Sequence, residues 1–122
     1  MIGHLSFGVA DLPRATRFYD AALGALGYDC VWTRDHGAVY GHPNETDRLA
    51  LYQRSDALAP GVGFHLAFDA PSREAVDRFH AAALAAGGTD DGAPGLRPQY
   101  GLTYYAAFVI DPEGYRLEAV HQ

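Results

Sequence analysis

The chain has 122 residues with 48% hydrophobic and 20% charged side chains, which fits one compact domain rather than a disordered or fibrous chain. A net charge of −6 with no basic run argues against a nucleic-acid partner, and no apolar stretch reaches membrane-spanning length. The N-terminus carries no basic segment of a secretory leader, so the expected location is the cytoplasm, and a single cysteine, Cys30, excludes an intrachain disulfide framework.

The first element in chain order is a strand. Leu5, Phe7 and Val9 alternate with His4 and Ser6, so the large apolar residues share one face and His4 lies on the other. A helix follows, with Asp11 as N-cap, Pro13 in its first turn and Leu12, Ala15, Phe18, Ala22 and Leu26 at helical spacing. Gly27 marks its end. Three short strands are expected next, near 29–34, 38–42 and 48–53. Cys30, in "YDCVW", is expected to be a small buried strand residue. The stretch "SDALAPGVG" then reads as a linker.

The second half repeats the first. "HLSFGVADLPRATRFYDAALGALG" aligns without a gap on "HLAFDAPSREAVDRFHAAALAAGG", displaced by 61 residues. His4 falls on His65, Phe7 on Phe68, Arg17-Phe18 on Arg78-Phe79, and Gly27 on Gly88. The second copy again gives a strand and a helix, the helix capped by Ser72. A weak strand near 89–91 and strong strands near 102–110 and 115–121 follow. "GAPGLRPQYG" (Gly92 to Gly101) reads as a loop able to cover a pocket.

This pattern predicts an α+β fold of two βαβββ modules, 1–55 and 63–122, within a single domain over 1–122. The sheets are expected to be paired, curled and mixed.

One residue breaks the apolar pattern of the last strand. In "DPEGYRLEAV", Glu118 stands between Leu117 and Ala119 and belongs to the face opposite Leu117. His4 and His65 also leave the apolar faces of their strands. If the two sheets curl so that the histidine faces meet, two imidazoles and a carboxylate form a metal triad suited to Fe, Mn, Ni, Co or Zn. Tyr104 shares the Phe108 strand face by period two and is a candidate phenol donor to the same pocket. His36, His42, His80 and His121 are read as lying outside the site, with His36 and His42 exposed.

The segments "GHLSFGVADLPRATRFYDAALGALGY", "GFHLAFDA" and "YYAAFVIDPEGYRLEAV" resemble the vicinal oxygen chelate superfamily, which includes glyoxalase I, extradiol dioxygenases, and fosfomycin- and bleomycin-resistance proteins. The resemblance implies metal ligands at His4, His65 and Glu118, a small oxygen-bearing substrate, and lyase, isomerase or dioxygenase chemistry. It also implies a homodimer, with sites formed within one chain or across two. The alternative it offers is a bleomycin-resistance-like protein that sequesters a drug without catalysis. Two positions depart from the pattern. Ala50 stands where glyoxalase I has a fourth ligand, and Phe108 stands where dioxygenases and fosfomycin enzymes carry a tyrosine. Arg97 is a weak counterpart of the basic cluster that fosfomycin enzymes use for phosphonate.

Overall fold

The computed structural model describes residues 1–122. The first module comprises β1 (His4–Val9), α1 (Leu12–Gly24), β2 (Asp29–Arg34), β3 (Gly37–Gly41) and β4 (Arg48–Gln53). The second comprises β5 (Leu66–Asp69), α2 (Arg73–Ala85), β6 (Thr89–Leu96), β7 (Tyr105–Ile110) and β8 (Arg116–His121). Each module folds into a four-stranded mixed sheet, ordered β1-β4-β3-β2 and β5-β8-β7-β6. The first and last strands of each module pair in parallel, His4 with Arg48 and Ala67 with Glu118, while the other pairings are antiparallel. The fold is α+β, with two βαβββ units in open sheets.

Both helices start where their caps dictate. The Asp11 carboxylate accepts from the Arg14 amide at 3.0 Å, and the Ser72 hydroxyl accepts from the Ala75 amide at 3.1 Å. Each helix lays its apolar stripe on the inner face of its own sheet. Phe18, Tyr19 and Leu23 of α1 pack with Val9, Leu49 and Leu51, and Phe79 and Ala83 of α2 pack with Val109, Leu117 and Ala119. The two helices also touch, so one continuous core serves both modules.

The modules are fastened together by the turn before β8. Buried Asp111 accepts from the Tyr19 hydroxyl at 2.7 Å and from the amides of Glu113 and Tyr115. Glu113 reaches back to accept from the amides of Ala10 and Asp11, at 2.6 and 2.9 Å, just ahead of α1. The Tyr115 ring stacks on Phe7 at 4.0 Å, and its hydroxyl donates to the Gly8 carbonyl at 2.6 Å. Gly114 closes this turn at φ +99°, a conformation that side chains other than glycine rarely adopt.

Four expectations need correction. The strand expected near 102–110 begins only at Tyr105, so Tyr104 precedes β7 rather than lying on its face. The segment after Thr89 is not a short strand followed by a loop: β6 continues through Leu96. Its pairing with β7 shifts register at Asp90/Gly92 and again at Gly92/Gly95, and such bulges erase the period-two pattern in the sequence. Cys30 is exposed, at the start of the edge strand β2. His42 is half-buried, with its ring 4.8 Å from Tyr28.

Candidate metal centre

Strand register alone places Glu118. It pairs with Ala67 on one side and Phe108 on the other, so its side chain leaves the outer face of the second sheet while Leu117 and Ala119 point to α2. Only 2% of Glu118 is exposed. A carboxylate buried to this degree needs partners, and it has two. His65 Nε2 lies 3.1 Å from Glu118 Oε2, and the Tyr104 hydroxyl donates to Oε1. Burial, reinforced by this bond to a carboxylate, pushes the Tyr104 phenol up to about 12. His65 itself is exposed and stands just before β5.

These three side chains line a cleft of about 460 Å³, together with Phe64, Tyr100 and Phe108. Tyr100 meets Tyr104 edge-on at 5.3 Å between ring centroids. The two arginines near this cleft are already engaged. Arg116 pairs with Asp91 at 2.8 Å. Arg97 sits 5.4 Å from the Phe108 ring centroid and donates to the Ala93 carbonyl at 2.7 Å. Neither is poised as a free anion clamp, as phosphonate recognition would require.

His4 is elsewhere. It lies on the outer face of the first sheet and lines a separate cleft of about 220 Å³ at the module junction, beside Tyr28, Arg48 and Phe68. No three His, Cys, Asp or Glu side chains of the chain converge. Within one chain the two histidine faces therefore do not meet. The reason is the junction described above: the helices pack side by side and the turn before β8 grips the start of α1, so the modules sit beside each other with their outer faces open. Ala50 also leaves the outer face of its sheet, with Ser6 and Val39 as its register partners. The donor set of one chain is thus an imidazole nitrogen and a carboxylate oxygen. That pair suits a borderline divalent ion but falls one protein ligand short of a triad.

The remaining histidines have other partners. His80 Nε2 is 2.8 Å from Asp90, His36 Nδ1 is 3.2 Å from the neighbouring Asp35, and His121 Nδ1 is 2.9 Å from the Ala70 carbonyl. Tyr100 is the cleft residue that periodicity did not single out. Its only sequence signal is an aromatic residue inside a Gly/Pro-rich stretch, four positions before Tyr104.

Comparisons with known proteins agree with this architecture. A crystal structure of a glyoxalase/bleomycin resistance protein from Albidiferax ferrireducens superposes with a TM-score of 0.86 at 34% identity, covering 100% of this chain and 98% of that one. A glyoxalase/bleomycin resistance protein/dioxygenase family enzyme from Burkholderia phytofirmans superposes at 0.73 with 20% identity, over 97% of this chain and 95% of that one. A glyoxalase I mutant from Zea mays superposes at 0.73 with 22% identity; 96% of this chain covers 45% of that longer one. At those lower identities the likeness is one of fold. No curated protein matches the sequence. The family model described as Glyoxalase/Bleomycin resistance protein/Dioxygenase superfamily matches residues 1–119. The chain belongs to the glyoxalase/bleomycin resistance protein/dioxygenase superfamily.

Proposed function

We propose that the protein is a metal-dependent enzyme acting on a small oxygen-bearing substrate, with each site shared between two copies of the chain. His65 and Glu118 come from one copy and His4 from the other. The observation that carries this reading is the approach of His65 Nε2 to 3.1 Å from a carboxylate that is only 2% exposed. A divalent ion offsets the desolvation of such a carboxylate and finds its nitrogen donor alongside. The isolation of His4 in its own cleft supports a second copy as the source of the third ligand.

A bound divalent ion supplies Lewis-acid polarisation of a substrate oxygen. The chain's own groups do the rest. Glu118 is held by Tyr104, whose phenol stays protonated across the physiological range and can donate a proton or a hydrogen bond at its Oη. Phe64, Tyr100 and Phe108 form aromatic walls able to accept a flat ligand. The same aromatic walls favour one second reading, a drug-sequestering protein without catalysis. That reading requires no metal.

The test is metal content in protein purified without an affinity tag. Wild type is expected to carry Fe, Mn, Ni, Co or Zn near one per chain, with His4→Ala, His65→Ala and Glu118→Ala each losing it. Mixing unfolded His4→Ala and Glu118→Ala chains and refolding them should restore about a quarter of the wild-type content, because each mixed dimer holds one intact site under random pairing. Wild type that binds no metal on titration ends the enzyme reading. Metal binding without restoration in the mixture ends the shared-site reading.

A further inference from the structure

The outer face of the first sheet carries a group of side chains that the proposed metal centre does not use. Register places Trp32 opposite Val39, Arg34 opposite Gly37, and Gly37 opposite Tyr52. Val39 is the partner of Ala50, so Trp32, Arg34 and Tyr52 all leave the sheet on the side of Ala50 and His4, away from α1. Gly37 lies beneath the two rings. A Cβ there would stand 3.0 Å from Tyr52 Cδ1, 3.2 Å from Trp32 Cζ3 and 2.9 Å from the Leu51 carbonyl oxygen. Both rings border the bare backbone of Gly37 and form an aromatic floor, with Tyr52 39% exposed.

Arg34 stands over this floor, its guanidinium carbon 5.3 Å from the Trp32 ring centroid. It donates to the Thr33 carbonyl and has no carboxylate within ion-pair distance. The neighbouring Asp35 is fully exposed and engages His36, whose ring meets the Trp32 edge at 5.5 Å. Of the guanidiniums already described, Arg116 has a carboxylate and Arg97 has carbonyls and a ring. Arg34 keeps donors to spare.

We propose that this face is a subsite for an aromatic carboxylate, with the ring against exposed Tyr52 and the carboxylate in the fork of Arg34. A guanidinium 5.3 Å from an indole centroid is drawn to the aromatic floor, and its planar fork matches a carboxylate. The aromatic floor takes a flat π-bearing body in preference to an aliphatic one. The protein as a whole is acidic, at −6, so an anion gains from this patch what the remaining surface denies it. A cation would meet Arg34 unfavourably, and a neutral ligand would leave the fork unfilled.

The place of this subsite in an active centre rests on the shared-site reading. His4 on β1 and Trp32 on β2 share one face three strands apart, about 14 Å across the sheet. A substrate with chelating oxygens at the ion would then be an extended aromatic acid, with its carboxylate at the far end.

Trp32 is the only tryptophan, so it reports directly on this face. The experiment titrates metal-free full-length protein with para-nitrobenzoate and, separately, with para-nitrobenzamide, following tryptophan fluorescence. Saturable quenching by the acid is expected, with the amide binding about tenfold more weakly. Arg34→Gln should make the two probes equivalent, and Tyr52→Leu should weaken both. Acid and amide that bind alike in wild type overturn the proposal without relying on any variant. Quenching that never saturates, or a preference for the acid that survives Arg34→Gln, overturns it equally. Because no metal is present, failure of this titration and failure of the metal centre are separate results.

Discussion

His65 and Tyr104 each face one oxygen of Glu118: the imidazole Nε2 stands 3.1 Å from Oε2, and the phenol donates to Oε1. The Tyr104 bond orients the carboxylate before any ion arrives. Glu118→Gln keeps an acceptor for Tyr104 and a polar group beside His65, but removes the negative charge. Folding should survive, with far-ultraviolet circular dichroism unchanged, while ion affinity measured by calorimetry falls by at least about 100-fold. Retained affinity in this variant would remove Glu118 from the ligand set.

Tyr104 has its own signature. With its phenol pushed up to about 12, it should contribute no phenolate near the ordinary value of 10.0. The ultraviolet absorbance difference between metal-free wild type and Tyr104→Phe, followed during an alkaline titration, should therefore develop around pH 12. A difference complete by pH 10.0 would mean that the bond to Glu118 does not persist in solution.

The shared core predicts a large effect from one side chain. Phe79 is fully buried between α2 and the second sheet. Phe79→Ala should cost about 3–5 kcal/mol in chemical denaturation, combining lost burial with a residual cavity.

Glu113 acts across the module boundary. Glu113→Ala strips the acceptor from the amides of Ala10 and Asp11, and about 1–2 kcal/mol of stability should go with it. Glu113→Gln retains an acceptor and should lose less. Equal losses would show that the 3.8 Å approach to Arg14, rather than the two amide bonds, carries the effect.

Asp111 gives the fold a pH dependence. Burial raises its carboxyl above the ordinary 3.8, outweighing the bonds from Tyr19 and the two amides. A raised folded-state value means that its titration contributes stability that is fully present below the unfolded value. This contribution is lost as pH rises through the folded value. Melting temperatures of wild type and Asp111→Asn should therefore diverge over that window on the acid side of neutrality. The advantage of wild type should be greatest at the acid end. A constant difference between the two proteins would contradict the raised carboxyl.

Much of this structure was readable from local signals. The caps Asp11 and Ser72 work through bonds three residues away, so they are visible in any short window. Glu118 was visible because a charge inside an alternating strand has no local explanation. The path of β6 was not, since glycines and a proline at two bulges carry no alternation. Nor was the separation of His4 from His65. Both histidines obey the same strand pattern, and only the docking of the two modules decides which clefts they enter. That docking depends on Tyr19, Asp111, Glu113 and Tyr115, whose partners lie 92 to 107 residues away in the chain.

Those distant partners have a consequence for how the protein comes into being. The opening strand and helix are synthesised first, yet Tyr19 must wait for Asp111, and Gly8 for Tyr115. The first half of a nascent chain therefore leaves the ribosome with the aromatic surface of Phe7 and Tyr19 uncovered. It can complete its packing only once residues 111–115 have emerged. Such long-range closure slows folding and lengthens the interval in which that surface is open to aggregation or to a chaperone.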